Sequence, residues 1–226
     1  MVSADDSTHQ AVSAAVAEAE GRSNGEIVTV LSDASDAYHD VGLHWAVAAL
    51  LAVLATAAAA PAWLTGLQAL LTGGGWDDEA PSLKSTLFLL MMLAIAVFTI
   101  VLLTLKYQPL RMALTPAATK QRRVRRRAIA LFKVAAERRT VGRTGVLLYL
   151  SMAEHRAEIV ADQAIHSVTT PETWGEAMEA LLIEVKAGRP LAGLVAAVGE
   201  IGTVLAQHSP RTVTDTNEIP DKLIEL

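Results

Sequence analysis

Residues 85–105 read STLFLLMMLAIAVFTIVLLTL, a run without Asp, Glu, Lys or Arg that is closed by Lys84 on one side and Lys106 on the other. About 20 apolar residues in helical form cross a hydrocarbon core of about 30 Å, so this run has the length of a membrane span. A second run lies upstream. No charged residue occurs from Val41 to Trp76, and the stretch from Trp45 to Leu64, WAVAALLAVLATAAAAPAWL, supplies a further span. Two neighbouring runs of this length are a transmembrane pattern rather than that of a soluble core. The expectation is a two-helix transmembrane hairpin.

The first span is the weaker. It is rich in alanine and contains Pro61, which removes a backbone donor and is expected to kink or end the helix. Small residues let helices approach closely, so this span is expected to pack against the second span or against a partner. Trp45, Trp63 and Trp76 sit near the expected water interfaces, where amphipathic rings settle. His44, at the start of the span, reads as a hydrated interfacial imidazole rather than a pigment or haem ligand. Orientation follows from charge. The connector carries Asp77, Asp78 and Glu79 against Lys84 alone, whereas Lys106, Arg111, Lys120, Arg122, Arg123, Arg125, Arg126 and Arg127 follow the second span. Lys and Arg collect on the cytoplasmic side, so the connector is expected outside and both chain termini inside. The run Arg122, Arg123, Arg125, Arg126 and Arg127 is expected to meet anionic lipid head groups, at about 1 kcal/mol per basic residue near the surface. No aromatic residues interleave with it, which argues against a nucleic-acid patch.

The bulk composition agrees. Hydrophobic residues make up 52% of the 226 positions and the mean hydropathy is +0.34, although 19% are charged, so the apolar residues are concentrated in segments. The net charge of −5 is too acidic for the molecule as a whole to bind polyanions. With no cysteine, disulfides, zinc ribbons, iron–sulfur clusters and thiol nucleophiles are excluded. The segment from Met1 to Thr8 carries Asp5 and Asp6 and lacks a basic and apolar leader, so no cleavable signal peptide is expected.

On either side of the hairpin the pattern is that of a small α/β domain. Ser7 with Gln10 has the spacing of a capping box, predicting a helix to about Ala19 with Val12, Val16 and Ala19 on one face. Ser23-Asn24-Gly25 marks a turn before a β-rich run, EIVTVL, over 26–31. After the hairpin, residues 120–139 read as a helix. TGVLLYLS over 144–151 reads as a covered central strand, and AEIVA over 157–161 as its antiparallel partner. Pro171 precedes a helix carrying Trp174, Met178, Leu181, Leu182 and Val185 and ended by Gly188. Pro190 opens another with Leu191, Leu194, Val195, Val198, Ile201 and Leu205 at helical spacing, stopped by Pro210. Residues 211–226 read as a polar tail over the surface. Each flank alone is too small for a good core. The expected organisation is one domain of helices around a small mixed sheet, built from 1–40 and 107–210, with the hairpin at 41–106 inserted after its first strand and holding the domain close to the membrane.

Several stretches resemble the TPM-domain family, in its bacterial membrane branch with an inserted transmembrane hairpin. They are Ser23-Asn24-Gly25-Glu26-Ile27-Val28, Tyr38, the strand Gly145-Val146-Leu147-Leu148-Tyr149-Leu150-Ser151, the run from Ala153 to Asp162, Trp174, and the closing stretch from Gly199 to Pro210. The resemblance implies an α/β/α fold. It also implies a place among relatives linked to photosystem maintenance in thylakoids and to receptor accessory roles in animals. Some relatives have been proposed as acid phosphatases or divalent-metal binders, through acidic residues at the sheet ends and a glycine-rich turn. Here that turn reads Val160-Ala161-Asp162-Gln163, and the preceding loop carries Glu154-His155 in place of an aspartate.

Glu154, His155, Asp162 and His166 form the best polar cluster in the sequence. Glu154, His155 and Asp162 are the candidate catalytic residues, since a carboxylate beside an imidazole can move protons. Asp162 and His166, four apart, would share a helix face and are the candidate metal ligands. The plainer reading is a solvated β-turn with Asp162 as a helix N-cap. Gly73-Gly74-Gly75 reads as a flexible turn in the connector, and Asp36 and Asp40 as caps or solvating groups before the first span. No phosphate loop, nucleophile elbow or His-Glu-x-x-His motif occurs, and no cofactor is expected. The leading expectation is a non-catalytic accessory or assembly module in the bacterial inner membrane. It would present the domain at the cytoplasmic face of a larger complex, photosynthetic or respiratory by family analogy, and join it through the hairpin. The competing expectation is a membrane-tethered phosphatase or divalent-metal-dependent hydrolase.

Overall fold

The computed structural model describes residues 6–71, 82–135, 144–212 and 222–226. The glycine run at 73–75, Trp76, the acidic group Asp77, Asp78 and Glu79, and the predicted end of the basic helix at Arg139 lie outside these residues. The chain forms two compact units, one comprising Met1–Asp36 and Ala117–Leu226, the other Ala37–Pro116.

The first unit is built on a four-stranded mixed sheet. Strand β1 (Glu26–Ser32) lies parallel to β2 (Gly145–Ser151), with Glu26 opposite Gly145 and Ser32 opposite Ser151. Strand β3 (Arg156–Ala161) returns antiparallel to β2, and β4 (Ile224–Glu225) lies parallel to β1 on its other side, giving the order β3-β2-β1-β4. Both faces of the two central strands are covered, which is why EIVTVLS and GVLLYLS are almost continuously apolar and wholly buried. Alternate residues serve opposite faces. Ile27, Leu31, Val146, Leu148 and Leu150 meet α1 (Asp6–Glu20), α8 (Gly175–Lys186) and α9 (Pro190–His208). Val28, Val30, Leu147 and Tyr149 meet α6 (Ala117–Ala135), the crossover helix that the parallel pairing requires. Val124, Ala128 and Phe132 recur every fourth residue of α6 and are its buried stripe. A 3₁₀ turn, Pro171–Trp174, leads into α8, and Gly188 at φ 77° ends the segment after it.

Several expectations shift. The first helix begins at Asp6, so Ser7 lies inside it rather than capping it. Gly25 is needed for space: a Cβ there would come within 2.7 Å of Leu205 Cδ1. The tail does not simply drape. Leu223 is buried, and the Leu226 N–H donates to Leu31 O while the Asp33 N–H donates to Leu226 O, so the last residues supply an edge strand. The helix α9 is long and apolar enough to cross a membrane, as are two helices of the other unit. However, Leu194, Val198, Ile201 and Leu205 are fully buried against the sheet and α1, which makes α9 a core helix.

The second unit is helical. The helix α2 (His39–Ala59) packs against α4 (Leu83–Thr104), burying Val41, Gly42, Ala46 and Ala57 from the one and Ala94 from the other. The apolar helix thus lies six residues earlier than the predicted start at Trp45. Of the two outcomes expected at Pro61, the helix ends rather than kinks: α2 stops at Ala59, and Pro61 begins a separate helix, α3 (Pro61–Leu71), because a missing N–H costs nothing at a first helical position. The Gln68 amide of α3 donates to Ser85 Oγ at 2.9 Å and accepts from Thr86 Oγ1 at 3.1 Å. Ser82 caps α4 by accepting from the Ser85 N–H. A short helix not foreseen from the sequence, α5 (Gln108–Ala113), follows α4, and Arg111 from it donates to Leu105 O near the end of α4.

Close approach of α1 and α9 is the tightest demand of the core. A Cβ on Gly202 would stand 2.6 Å from the Ala19 Cβ. Gly202→Ala is expected to destabilise the protein by about 1–3 kcal/mol, as overpacking does, and a thermal melt of the purified chain in mild detergent that shows no loss would refute this.

Candidate functional site

The polar cluster of the sequence, Glu154, His155, Asp162 and His166, is divided between two places. Glu154 and His155 lie in the turn between β2 and β3, whereas Asp162 follows β3 at its far end. Six strand residues at about 3.3 Å each put roughly 20 Å between them. They do not form one constellation.

At the first end, the turn is closed by the His155 N–H donating to Met152 O, and His155 adopts φ 51°, the left-handed region that usually favours glycine. Its side chain is exposed. Glu154 turns inward instead of being solvated: it is 5% exposed, accepts from the Ser35 N–H at 2.9 Å and accepts a short hydrogen bond from the Ser151 hydroxyl. Ser35 Oγ in turn shares a hydrogen bond with the Tyr149 hydroxyl at 2.9 Å. The Met152 and Ala153 N–H groups donate to Ser32 O and Asp33 O. This carboxylate therefore fastens the segment after β1 to the turn after β2. It is a structural anchor at one end of the parallel ladder.

At the other end, Asp162 Oδ1 accepts from the Gln163 N–H at 2.7 Å as the N-cap of α7 (Gln163–His166), while Oδ2 is buried with no hydrogen-bond partner. His166 is bonded to Asp162 only through the backbone, at 2.8 Å, and its side chain is exposed. Among the described residues, no group of three or more His, Asp or Glu stands close enough to hold a metal ion.

The basic segment lies on α6, where Arg122, Arg125, Arg126 and Arg127 are exposed and Arg125 stands beside β3. Arg123 is different. It turns to Asp36 at 2.9 Å with its side chain only 13% exposed, so it clasps the end of the β1 segment rather than facing outward. Asp36 is thereby an ion-pair partner, not a helix cap. His44 of α2 bonds through Nδ1 to Asp40 O.

Sequence reading missed the edge of β3. Here Glu158 is half-buried, and burial raises its carboxyl above the ordinary value, while the nearby Arg125 and Arg156 pull it partly back. A groove of about 470 Å³ opens beside it, with Arg125 and Ile129 of α6 on one side and Pro171, Trp174 and Met178 on the other. The signal was a lone carboxylate within the alternation of RAEIVA.

A mixed sheet of this order, covered by α6 on one face and by α1, α8 and α9 on the other, defines an α/β fold. Residues 109–204 match the family described as TPM domain. That stretch runs from α5 into α9, and the family is the one that the sequence resembles. Over 98% of this chain and 94% of the other, the fold matches the solved structure of the BA42 protein from the psychrophilic bacterium Bizionia argentinensis, with a TM-score of 0.55 and 16% identity. Comparison with curated proteins finds no match.

Two outcomes test this site. Glu154→Ala leaves the half-buried Ser35 N–H and the buried Ser151 hydroxyl without this acceptor and is expected to cost about 1–3 kcal/mol, with Glu154→Gln, which keeps an acceptor, costing less in the same denaturant titration. For Glu158, a folded-state carboxyl raised above its unfolded value favours the protonated form, so its contribution to stability is present at low pH and lost as pH rises through the folded value. Glu158→Gln should therefore melt higher than the parent at pH 7, with the advantage shrinking toward pH 4; a constant difference across that range would be inconsistent with the linkage.

Proposed function

We propose that the protein is a membrane-tethered, non-catalytic binding module. In this reading α2 and α4 cross a bilayer as a hairpin, and the TPM domain is presented on the cytoplasmic side to a partner in a larger membrane complex. The observation that carries it is the outer surface of α4. Leu83, Leu87, Phe88, Met91, Ile95, Ile100 and Leu103 are each about half exposed or more, up to 75% at Leu83. A continuous apolar surface of that extent is stable only against lipid or another apolar helix. Near 1.5 Å per residue, α2 and α4 both reach about 30 Å. On the outer side of α2, Ala48, Ala52, Ala55 and Ala59 form an exposed line of small residues that permits a partner helix to approach.

The asymmetry of charge supports the orientation: acidic residues in the connector, basic residues after α4. The exposed arginines of α6 would then engage anionic head groups. The non-catalytic reading is supported by Glu154, whose carboxylate is already engaged in joining β1 to β2, and by its separation from Asp162. The absence of cysteine makes topology directly measurable. In intact cells, Asp77→Cys is expected to react with a membrane-impermeant maleimide, whereas Gln163→Cys reacts only after permeabilisation, and the chain stays with the membrane through alkaline washing. Release into the soluble fraction, or protection of the Asp77→Cys thiol, would overturn the proposal.

A further inference from the structure

Strand β3 ends the sheet, and its residues are only partly buried where those of β2 are fully so. The groove beside it touches Ala157, Glu158, Ile159, Val160 and Ala161 in succession. Successive strand residues point to opposite faces. A depression over either face would meet only every second one, so this groove runs along the free edge. Among the described residues no backbone hydrogen bond joins that edge to another element. Its outward N–H and C=O groups are a template for one more strand.

The two walls differ. On the α6 side stand Arg125, Ile129, Glu158 and Val160, with Arg156 close enough to act on Glu158. Two guanidinium groups stand there beside one half-buried carboxyl. On the other side Ile159, Pro171, Trp174 and Met178 present an apolar wall, with His166 and Thr170 at its margin. An added strand would direct alternate side chains to these two walls.

We infer that the β3 edge receives an extended peptide segment of a partner protein, of about five residues, with acidic side chains toward Arg125 alternating with apolar side chains toward Trp174 and Met178. This is strand addition, in which backbone bonding supplies affinity and alternate pockets supply selectivity. A second copy of this chain is a poorer occupant. The helix α6 packs over β3, so edge-to-edge pairing would set two helices bearing exposed Arg122, Arg125 and Arg126 side by side. The inference rests on the binding-module reading but not on whether the hairpin spans a bilayer.

The test uses the full chain in detergent with fluorescein-labelled Val-Glu-Val-Glu-Val-Glu and its Val-Lys-Val-Lys-Val-Lys counterpart, followed by anisotropy and by hydrogen exchange. The acidic peptide should bind saturably, and the amides of 157–161 should gain protection. Arg125→Glu should weaken the acidic peptide by about tenfold and favour the basic one, as replacing an opposite-charge contact by a like-charge one does. Lys186→Glu, on α8 outside the groove, should leave both unchanged. Equal binding of both peptides, protection confined to α6, protection of β3 by phosphatidylglycerol vesicles alone, or dimerisation that blocks the edge would each overturn the inference. The labelling of Asp77→Cys reads the membrane proposal separately, so failure of one experiment does not mask failure of the other.

Discussion

The parallel ladder between β1 and β2 joins a strand made before the helical unit to one made after it, and every layer of the domain is laid against those two strands. Neither flank has a core without it. The N-terminal piece contributes one helix and one strand, whose buried side chains share a core with residues beyond 117. Each end of the ladder is secured by a buried carboxylate that satisfies backbone rather than performing chemistry. Glu20 Oε1 accepts from the Ile27 N–H at 2.8 Å near the start of β1, and Glu154 accepts from the Ser35 N–H beyond its end. Buried polar groups survive in a core only when paired in this way. The ion pair of Asp36 with Arg123 adds a third fastening, at the point where the chain leaves the domain.

Much of the fold was legible because periodicity carries it. The alternating faces of β1 and β2, the four-residue stripe of α6 and the 3.6-residue pattern of α9 are written in the order of apolar residues, and the apolar runs of α2 and α4 in their length. What was not legible depends on three-dimensional neighbours. Pro61 could have kinked a helix or begun one, and the sequence alone does not distinguish an interior position from a first one. Gly25 sits in a stretch that reads as a turn, yet its constraint is the nearness of Leu205. The final strand is two residues long, too short for any periodicity to register.

The candidate site was less legible, for a related reason. Glu154, His155, Asp162 and His166 are close in the chain, but an extended strand is the least compact way to connect two points, so neighbours in sequence became opposite ends of a sheet. A loop carboxylate is ordinarily solvated, and nothing local in Met152-Ala153-Glu154-His155 announces that Glu154 turns under the strand ends to meet Ser35 and Ser151. Conversely, RAEIVA reads as an ordinary hairpin strand. Its standing as a half-open edge beside Trp174 follows only from the placement of α6 and the 3₁₀ turn around it.

The order in which the strands are synthesised has a consequence of its own. A ribosome adding about 5–20 residues per second needs on the order of ten seconds to travel from β1 to β2. The two residues of β4 are made later still. For that whole interval EIVTVLS, the strand of the N-terminal piece, has neither neighbour, and its second side closes only once residues 224 and 225 have been made. The nascent chain must therefore be shielded at β1 throughout the making of the helical unit, which places the vulnerable period of this protein's biogenesis before folding can begin.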